Sequence, residues 1–315
     1  MATLNFLDSF EIPGILSFQR HGDLEKAVIT TDSCVGEVYL QGAHITHWQP
    51  HGEDPILFLS EKSAFLPGKA IRGGIPIIFP WFGSRTPNKH SSRSDGPAHG
   101  FARTQAWQVT GATASGETLV LTFQLLPNNE SAALGYDNFS LDYEVRMGKT
   151  LELKLTCTNT GQTSQHIDRE AASTLFEEAL HTYFAVSDID NVSVSGLANT
   201  EYLDKTDGMK RKRQEEKLLK LSGETDRPYL NTSATVTVLD QGFQRRIKVE
   251  KDQSLTTVVW NPWETLAGKM ADMQENGFRK FICVESANAM ENALVLNAGE
   301  SHSLAVKISV EKLPG

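Results

Sequence analysis

The chain has 315 residues, 39% hydrophobic and 22% charged, a composition that excludes a disordered or low-complexity protein. Its formal net charge of −9 argues against a nucleic-acid binder or a partner of anionic membranes, because long-range attraction to phosphate needs excess positive charge. Cys34, Cys157 and Cys283 are too far apart for metal-ligand spacing, and "MATLNFLDSF" lacks the basic-then-apolar pattern of a secretory leader, so a reducing, cytoplasmic setting is expected. No apolar run approaches the ~18 residues a membrane helix needs.

In chain order, apolar and polar residues alternate at period two in "AVITTD" (27–32), "CVGEVYL" (34–40), "ETLVLTFQLL" (117–126), "SLDYEVRM" (140–147) and "LELKLTCTNT" (151–160). The pattern continues through "NVSVSGL", "ATVTVLD", "RRIKVEK", "LTTVVWN", "KFICVES" and "SLAVKISVEKL". Turn residues such as Gly148-Lys149, Thr160-Gly161 and Ala298-Gly299 separate many of them. Helical periodicity is confined to short stretches, "EEKLLKL" (215–221) and "LAGKMADM" (266–273). Many strands and few helices predict an all-β antiparallel sandwich or barrel. With no linker, repeat or low-complexity tract, residues 1–315 read as one domain. The charged run "KRKRQEEK" (210–217) reads as a solvated insertion.

Residues 72–83, "RGGIPIIFPWFG", fit neither regular element, because Pro76 and Pro80 donate no backbone hydrogen bond. The isoleucines and aromatics between them are too apolar for a solvated loop. A packed, rigid and irregular segment of this kind often lines a site. No phosphate-binding glycine loop, serine nucleophile elbow or zinc spacing is present. What remains are polar residues in apolar strings. His181 in "ALHTYFAVSDI" is either a satisfied core histidine or a titrating group whose environment sets its pKa. Glu285 in "RKFICVESANA" shares a strand face with Phe281 and Cys283, so it either caps a strand end or stands in a cleft as a general base. "SDGPAHGFARTQAW" carries His99 and Arg103; with Arg72 and Arg85 they could form a guanidinium cluster for an anion, although Arg85 and Arg93 read better as surface ion pairs. Trp81, Phe82 and Trp263 are candidate platforms for a sugar face, or simply core.

Taken together, "RGGIPIIFPWFG", "PAHGFAR…W", "LHTYFAVSDI", "TDRPY", "WNPW" and "FICVESANA" resemble, in order, the hexose-6-phosphate mutarotases, the glucose-6-phosphate 1-epimerase branch of the aldose 1-epimerase superfamily. The resemblance runs from about residue 20 to the C-terminus. It implies an antiparallel β-supersandwich of the galactose mutarotase-like type with a few short helices. The implied activity is interconversion of the α and β anomers of a hexose 6-phosphate, most simply glucose 6-phosphate, without metal or cofactor. His181 and Glu285 match the catalytic positions, with Glu285 as base and His181 as acid. Arg72, Arg103 and Asp226 match substrate-binding positions; His99 resembles a histidine contacting sugar hydroxyls, and Trp263 is carried as a substrate-binding aromatic. Ala98 stands where some members have glutamine.

Mutarotation removes a proton from the anomeric hydroxyl and adds one to the ring oxygen, then reverses after rotation about C1–C2. A carboxylate and an imidazole titrating near their ordinary values would suffice. On an acidic protein, the phosphate, at about −1.5 to −2, needs local guanidinium groups. The expected partner is a small sugar phosphate, and the chain is expected to act as a monomer. The alternatives are a mutarotase of unphosphorylated aldoses and a non-catalytic carbohydrate-binding or regulatory protein on the same fold. A glycosidase would call for two catalytic carboxylates rather than a carboxylate and an imidazole.

Overall fold

Period-two alternation translates into antiparallel sheet through most of the chain. The computed structural model describes residues 6–88, 90–161 and 173–313, so part of the N-terminal stretch read for a leader lies outside the described residues. The largest sheet has nine strands, in the order Leu218–Leu219, Val192–Ser195, Val236–Asp240, Arg245–Asp252, Ser301–Lys312, Leu151–Asn159, Phe139–Met147, Thr118–Leu125 and Gln108–Ser115. Its strands read cleanly from sequence because one face alone is covered: Phe139, Leu141, Tyr143, Val145 and Met147 are buried while the residues between them are not.

A second sheet orders Lys210–Arg213, Glu201–Asp204, Thr225–Tyr229, Thr256–Asn261, Phe281–Asn288, Glu178–Leu180 and Ile77–Ile78, with Tyr183–Ala185 also paired to Phe281–Asn288. Every residue of Phe281–Asn288 is buried, so both faces of this sheet are covered. Ile282 and Val284 enter a hydrophobic cluster that also holds Leu141 and Leu155 of the nine-stranded sheet and Ile45 and Trp48 of a four-stranded sheet. That third sheet comprises Leu16–His21, Leu24–Thr30, Cys34–Tyr39 and His44–Pro50. Side chains of this size each contribute roughly 1.5–3 kcal/mol by leaving water. Phe281 and Cys283, on the opposite face, pack in a second cluster with Phe58, Tyr183 and Phe278. That opposite face carries the candidate site.

The irregular segment 72–83 runs along the edge of the eight-stranded sheet. Gly74 has φ +62°, and a Cβ there would lie 2.2 Å from the Ile45 carbonyl oxygen, so the approach requires glycine. Pro76 and Pro80 contribute acceptors rather than donors: the Pro76 carbonyl accepts from His181 N (3.0 Å), and the Pro80 carbonyl from Glu177 N (2.9 Å). The Gly74 carbonyl accepts from Tyr183 N at 2.9 Å. A segment that cannot complete a ladder thereby anchors the backbone of 181–183.

Two sequence expectations are corrected. "EEKLLKL" is not helical; Leu218–Leu219 is a short strand paired with Val194 and Ser195, tertiary pairing overriding a weak local preference. The helix expected over 266–273 instead spans Trp263–Ala267. The charged run is partly an edge strand, Lys210–Arg213, whose Arg211 and Arg213 pair with Glu201 and whose Lys212 pairs with Asp204. Basic residues on an exposed edge discourage pairing with another chain. Among the described residues, no helix is long and apolar enough to cross a membrane.

Candidate active site

Register brings His181 and Glu285 together. Leu180 lies opposite Ser286 and Tyr183 opposite Cys283, and the same even stepping sets His181 directly across from Glu285. Cross-strand partners point their side chains to the same face. His181 Nε2 lies 3.3 Å from Glu285 Oε1, with the two residues 6% and 1% exposed. The His181 ring stacks on Tyr183 at 4.8 Å and meets Trp260 and His99 edge-on at 5.9 and 5.5 Å. His181 Nδ1 and Glu285 Oε2 are buried without a hydrogen-bond partner. Buried polar atoms left unpaired cost stability, and such atoms on two neighbouring groups are suited to hydrogen-bonding a ligand.

The depth of the pair overturns the expectation that both groups titrate near their ordinary values. Burial pushes the Glu285 carboxyl well above the usual carboxylate range; Asp226 adds to this and Lys205 opposes it. Burial likewise holds His181 well below the ordinary imidazole value, reinforced by His99, Arg103 and Arg72. His99 is lowered to about 3, by burial first and then by Arg103, Lys205 and Arg72. In this low-dielectric site each group favours its neutral form.

The two arginines differ in their partners. Arg72 donates through Nε to Asp272 Oδ2 (3.1 Å) and through an NH1 group to the Tyr183 hydroxyl (2.9 Å). Burial opposes its charge, but Tyr183 and Asp272 more than compensate, and its pKa is raised. Arg103 donates to the Ala98 carbonyl at 2.7 Å, and its buried Nε has no partner. Among the described residues, no carboxylate forms an ion pair with Arg103, whose pKa is lowered by burial.

His99 has φ +65° and donates its N–H to the Gly83 carbonyl at 2.6 Å. Its ring meets Phe82 edge-on at 5.0 Å, which sets Phe82 beside the candidate site. Asp226 lies across from Trp260 on the neighbouring strand and pairs with Lys205 at 2.6 Å. Trp263 packs on Phe278 at 5.5 Å, at the start of its short helix; Trp260, not Trp263, is the tryptophan in contact with His181 and Tyr183. Trp81 is a core residue against Phe101 and Tyr136. Arg85 forms the expected ion pair, with Asp95 at 3.5 Å, but its own side chain is buried rather than at the surface: it donates to the Leu134 carbonyl and lies over Trp81. Arg93 forms the exposed pair expected, with Asp95.

Sequence reasoning passed over Trp260, Lys205, Asp272 and Tyr183. Trp260 could have been found, since it alternates with Val258 along a strand and Val258 lies opposite Glu285. Lys205 and Asp272 carry no local signal; each reaches the site through a tertiary contact.

The family model described as aldose 1-epimerase matches residues 25–309. The chain is 35% identical over 302 residues to the Escherichia coli (strain K12) protein named "Putative glucose-6-phosphate 1-epimerase", covering 96% of each. It is 33% identical over 287 residues to a protein of the same name from Cenchrus ciliaris, covering 88% of this chain and 82% of the other. Among solved structures, one titled as a putative mutarotase from Salmonella typhimurium superposes with a TM-score of 0.85 at 32% identity, covering 96% of both chains. A galactose mutarotase-like protein from Clostridium acetobutylicum, at 13% identity and TM-score 0.71, shares the fold over 95% of this chain and 98% of its own. The all-β, galactose mutarotase-like architecture expected from the motifs is the one observed.

Proposed function

The chain belongs to the aldose 1-epimerase family, and from that premise we propose that it interconverts the α and β anomers of a hexose 6-phosphate, with Glu285 as base and His181 as acid. The observation carrying this reading is the pair itself: a carboxyl and an imidazole 3.3 Å apart, each with a buried polar atom lacking a partner. Ring opening transfers the anomeric hydroxyl proton to Glu285 while His181 delivers a proton to the ring oxygen. Reclosure after rotation about C1–C2 returns both. The proton count of the pair is unchanged over the cycle, so no external donor is required. Burial favours the neutral forms, and neutral Glu285 with neutral His181 holds the same single proton as carboxylate with imidazolium. Sugar hydroxyls donating to Glu285 stabilise the carboxylate form. Positioned groups of this kind contribute about 10²–10⁴-fold each, enough for a reaction that proceeds slowly unaided.

Arg103, with no carboxylate ion-pair partner among the described residues, is the strongest candidate phosphate anchor, with Arg72 beside it. His99, Phe82 and Trp260 border the sugar, and Asp226 accepts from a hydroxyl. Trp263 supports the aromatic wall through Phe278 rather than stacking on the sugar. A second reading, an aldose without phosphate, is favoured by one observation: Asp272 already neutralises Arg72. The cluster of buried residues shared by the three sheets supports residues 1–315 acting as one domain.

Exchange NMR on glucose 6-phosphate and glucose, with the parent, His181→Ala and Glu285→Gln, tests the reading. Accelerated exchange of the phosphate ester, lost by 10²-fold or more in both variants, is expected. Exchange indifferent to either substitution would discard the pair, and faster exchange of glucose than of its 6-phosphate would select the second reading.

A further inference from the structure

Lys205 follows strand Glu201–Asp204 and opens the 3-10 turn Lys205–Asp207. The other basic residues of this hairpin are engaged along its exposed edge: Lys210 with Asp207, Arg211 and Arg213 with Glu201, and Lys212 with Asp204 and Asp207. Lys205 turns the other way. Its Nζ lies 2.6 Å from Asp226 Oδ2 and 5.6 Å from the centre of the Phe82 ring, the ring that abuts His99. It therefore extends over the sheet face that carries Glu285, and both members of the pair are half-buried, with side chains 29% and 19% exposed. An ammonium with two-thirds of its surface covered calls for a close counter-charge, and Asp226 is that partner.

We infer that Lys205 is a positioning residue of the acid–base site: its ammonium holds Asp226 in place and sets a positive charge over the strand face that carries Glu285. Around Glu285 stand His181 and Tyr183 from the adjoining segment, Cys283 on its own strand, Asp226 from Thr225–Tyr229, and Lys205. Burial and Asp226 favour the protonated carboxyl, and Lys205 is the cation that opposes them. Arg72, Arg103 and His99 bear on the histidine instead. Without Lys205, an ionised Asp226 would face Glu285 uncompensated, and like charges in a buried site disfavour joint ionisation. In its kinetic readout the inference rests on the mutarotase reading above; its spectroscopic readout does not.

The test compares the parent, Lys205→Met and Lys205→Arg. The kcat/KM for anomer exchange is followed against pH, and the Glu285 carboxyl is titrated by carbon NMR without sugar, its resonance assigned with Glu285→Gln. In Lys205→Met the acid-side limb moves to higher pH, giving about a tenfold loss at neutral pH that shrinks toward alkaline pH, a tenfold change being one pKa unit of charge interaction. Lys205→Arg restores the parent profile, and KM for the phosphorylated and free hexose change together. Loss by the same factor at every pH, with the limb in place, would overturn the inference in favour of a purely structural lysine. A rise in KM confined to the 6-phosphate would overturn it in favour of a phosphate ligand. Should the parent catalyse no anomer exchange, the mutarotase reading fails, and the carboxyl titration decides alone: identical Glu285 curves in the parent and Lys205→Met would sink the role given to Lys205.

Discussion

Replacing Arg103 with alanine removes a cation of the candidate site that, among the described residues, forms no ion pair with a carboxylate. Its guanidinium spends one hydrogen bond on the Ala98 carbonyl, at 2.7 Å, and keeps a buried Nε unpaired. A hydrogen bond to a charged group contributes about 1.5–3 kcal/mol, and each ~1.4 kcal/mol is tenfold in rate. Arg103→Ala is therefore expected to lower kcat/KM for glucose 6-phosphate by about 10- to 150-fold, with a much smaller effect on glucose, which has no phosphate to lose. Arg72 behaves differently because Asp272 holds it at 3.1 Å. Arg72→Ala deletes a cation and also leaves the Asp272 carboxylate uncompensated at the cleft, so repulsion compounds the loss. Arg72→Ala with Asp272→Ala should recover part of the phosphate preference. Exchange NMR across a range of sugar concentrations gives the four ratios. Equal losses on both sugars for Arg103→Ala would refute the anchor role, and a double variant no better than Arg72→Ala would refute the repulsion argument.

Glu285→Gln should stabilise the fold while abolishing exchange. A carboxyl whose folded pKa is raised favours folding below its unfolded value, about 4.3, and that contribution is lost as pH rises through the folded value. The gain in Tm of Glu285→Gln over the parent should therefore grow with pH from mildly acid to alkaline; a constant difference would contradict the raised carboxyl. Glu178, pushed up to about 8 by burial, keeps its own share of the pH dependence in both proteins. On the opposite face of strand Phe281–Asn288 from Glu285, Ile282→Ala empties a fully buried site. It should cost about 2–5 kcal/mol by chemical denaturation, leaving the pH profile of the remaining folded enzyme unchanged; a moved profile would mean that the two faces are coupled.

The strands with one covered face were legible because burial there follows the two-residue repeat of the backbone, as in Phe139–Met147 and Leu151–Asn159. Thr225–Tyr229 was harder, since Pro228 breaks the strand signature and both faces of its sheet are covered. "EEKLLKL" misled because its apolar spacing suits a helix, while its partner Val194–Ser195 lies far away in sequence and supplies the pairing. The polar residues of the candidate site, His181, Glu285, Arg72, His99 and Arg103, stood out in apolar or glycine-rich strings. Trp260 was passed over for Trp263, three positions on, because the choice depends on which face a strand presents.

The amino-acid order alone determined the antiparallel class, the residue types available for acid–base work and the presence of arginines in an acidic chain. Those properties are local: they follow from side-chain chemistry and the strand repeat. The tertiary structure decided that His181 lies beside Glu285, that Asp272 occupies Arg72 while Arg103 forms no carboxylate ion pair among the described residues, and that Lys205 reaches Asp226. It also decided that burial favours the neutral forms of His181 and Glu285. Register, ion pairing and desolvation depend on what distant segments place around a group, and no string of neighbours along the chain contains that information.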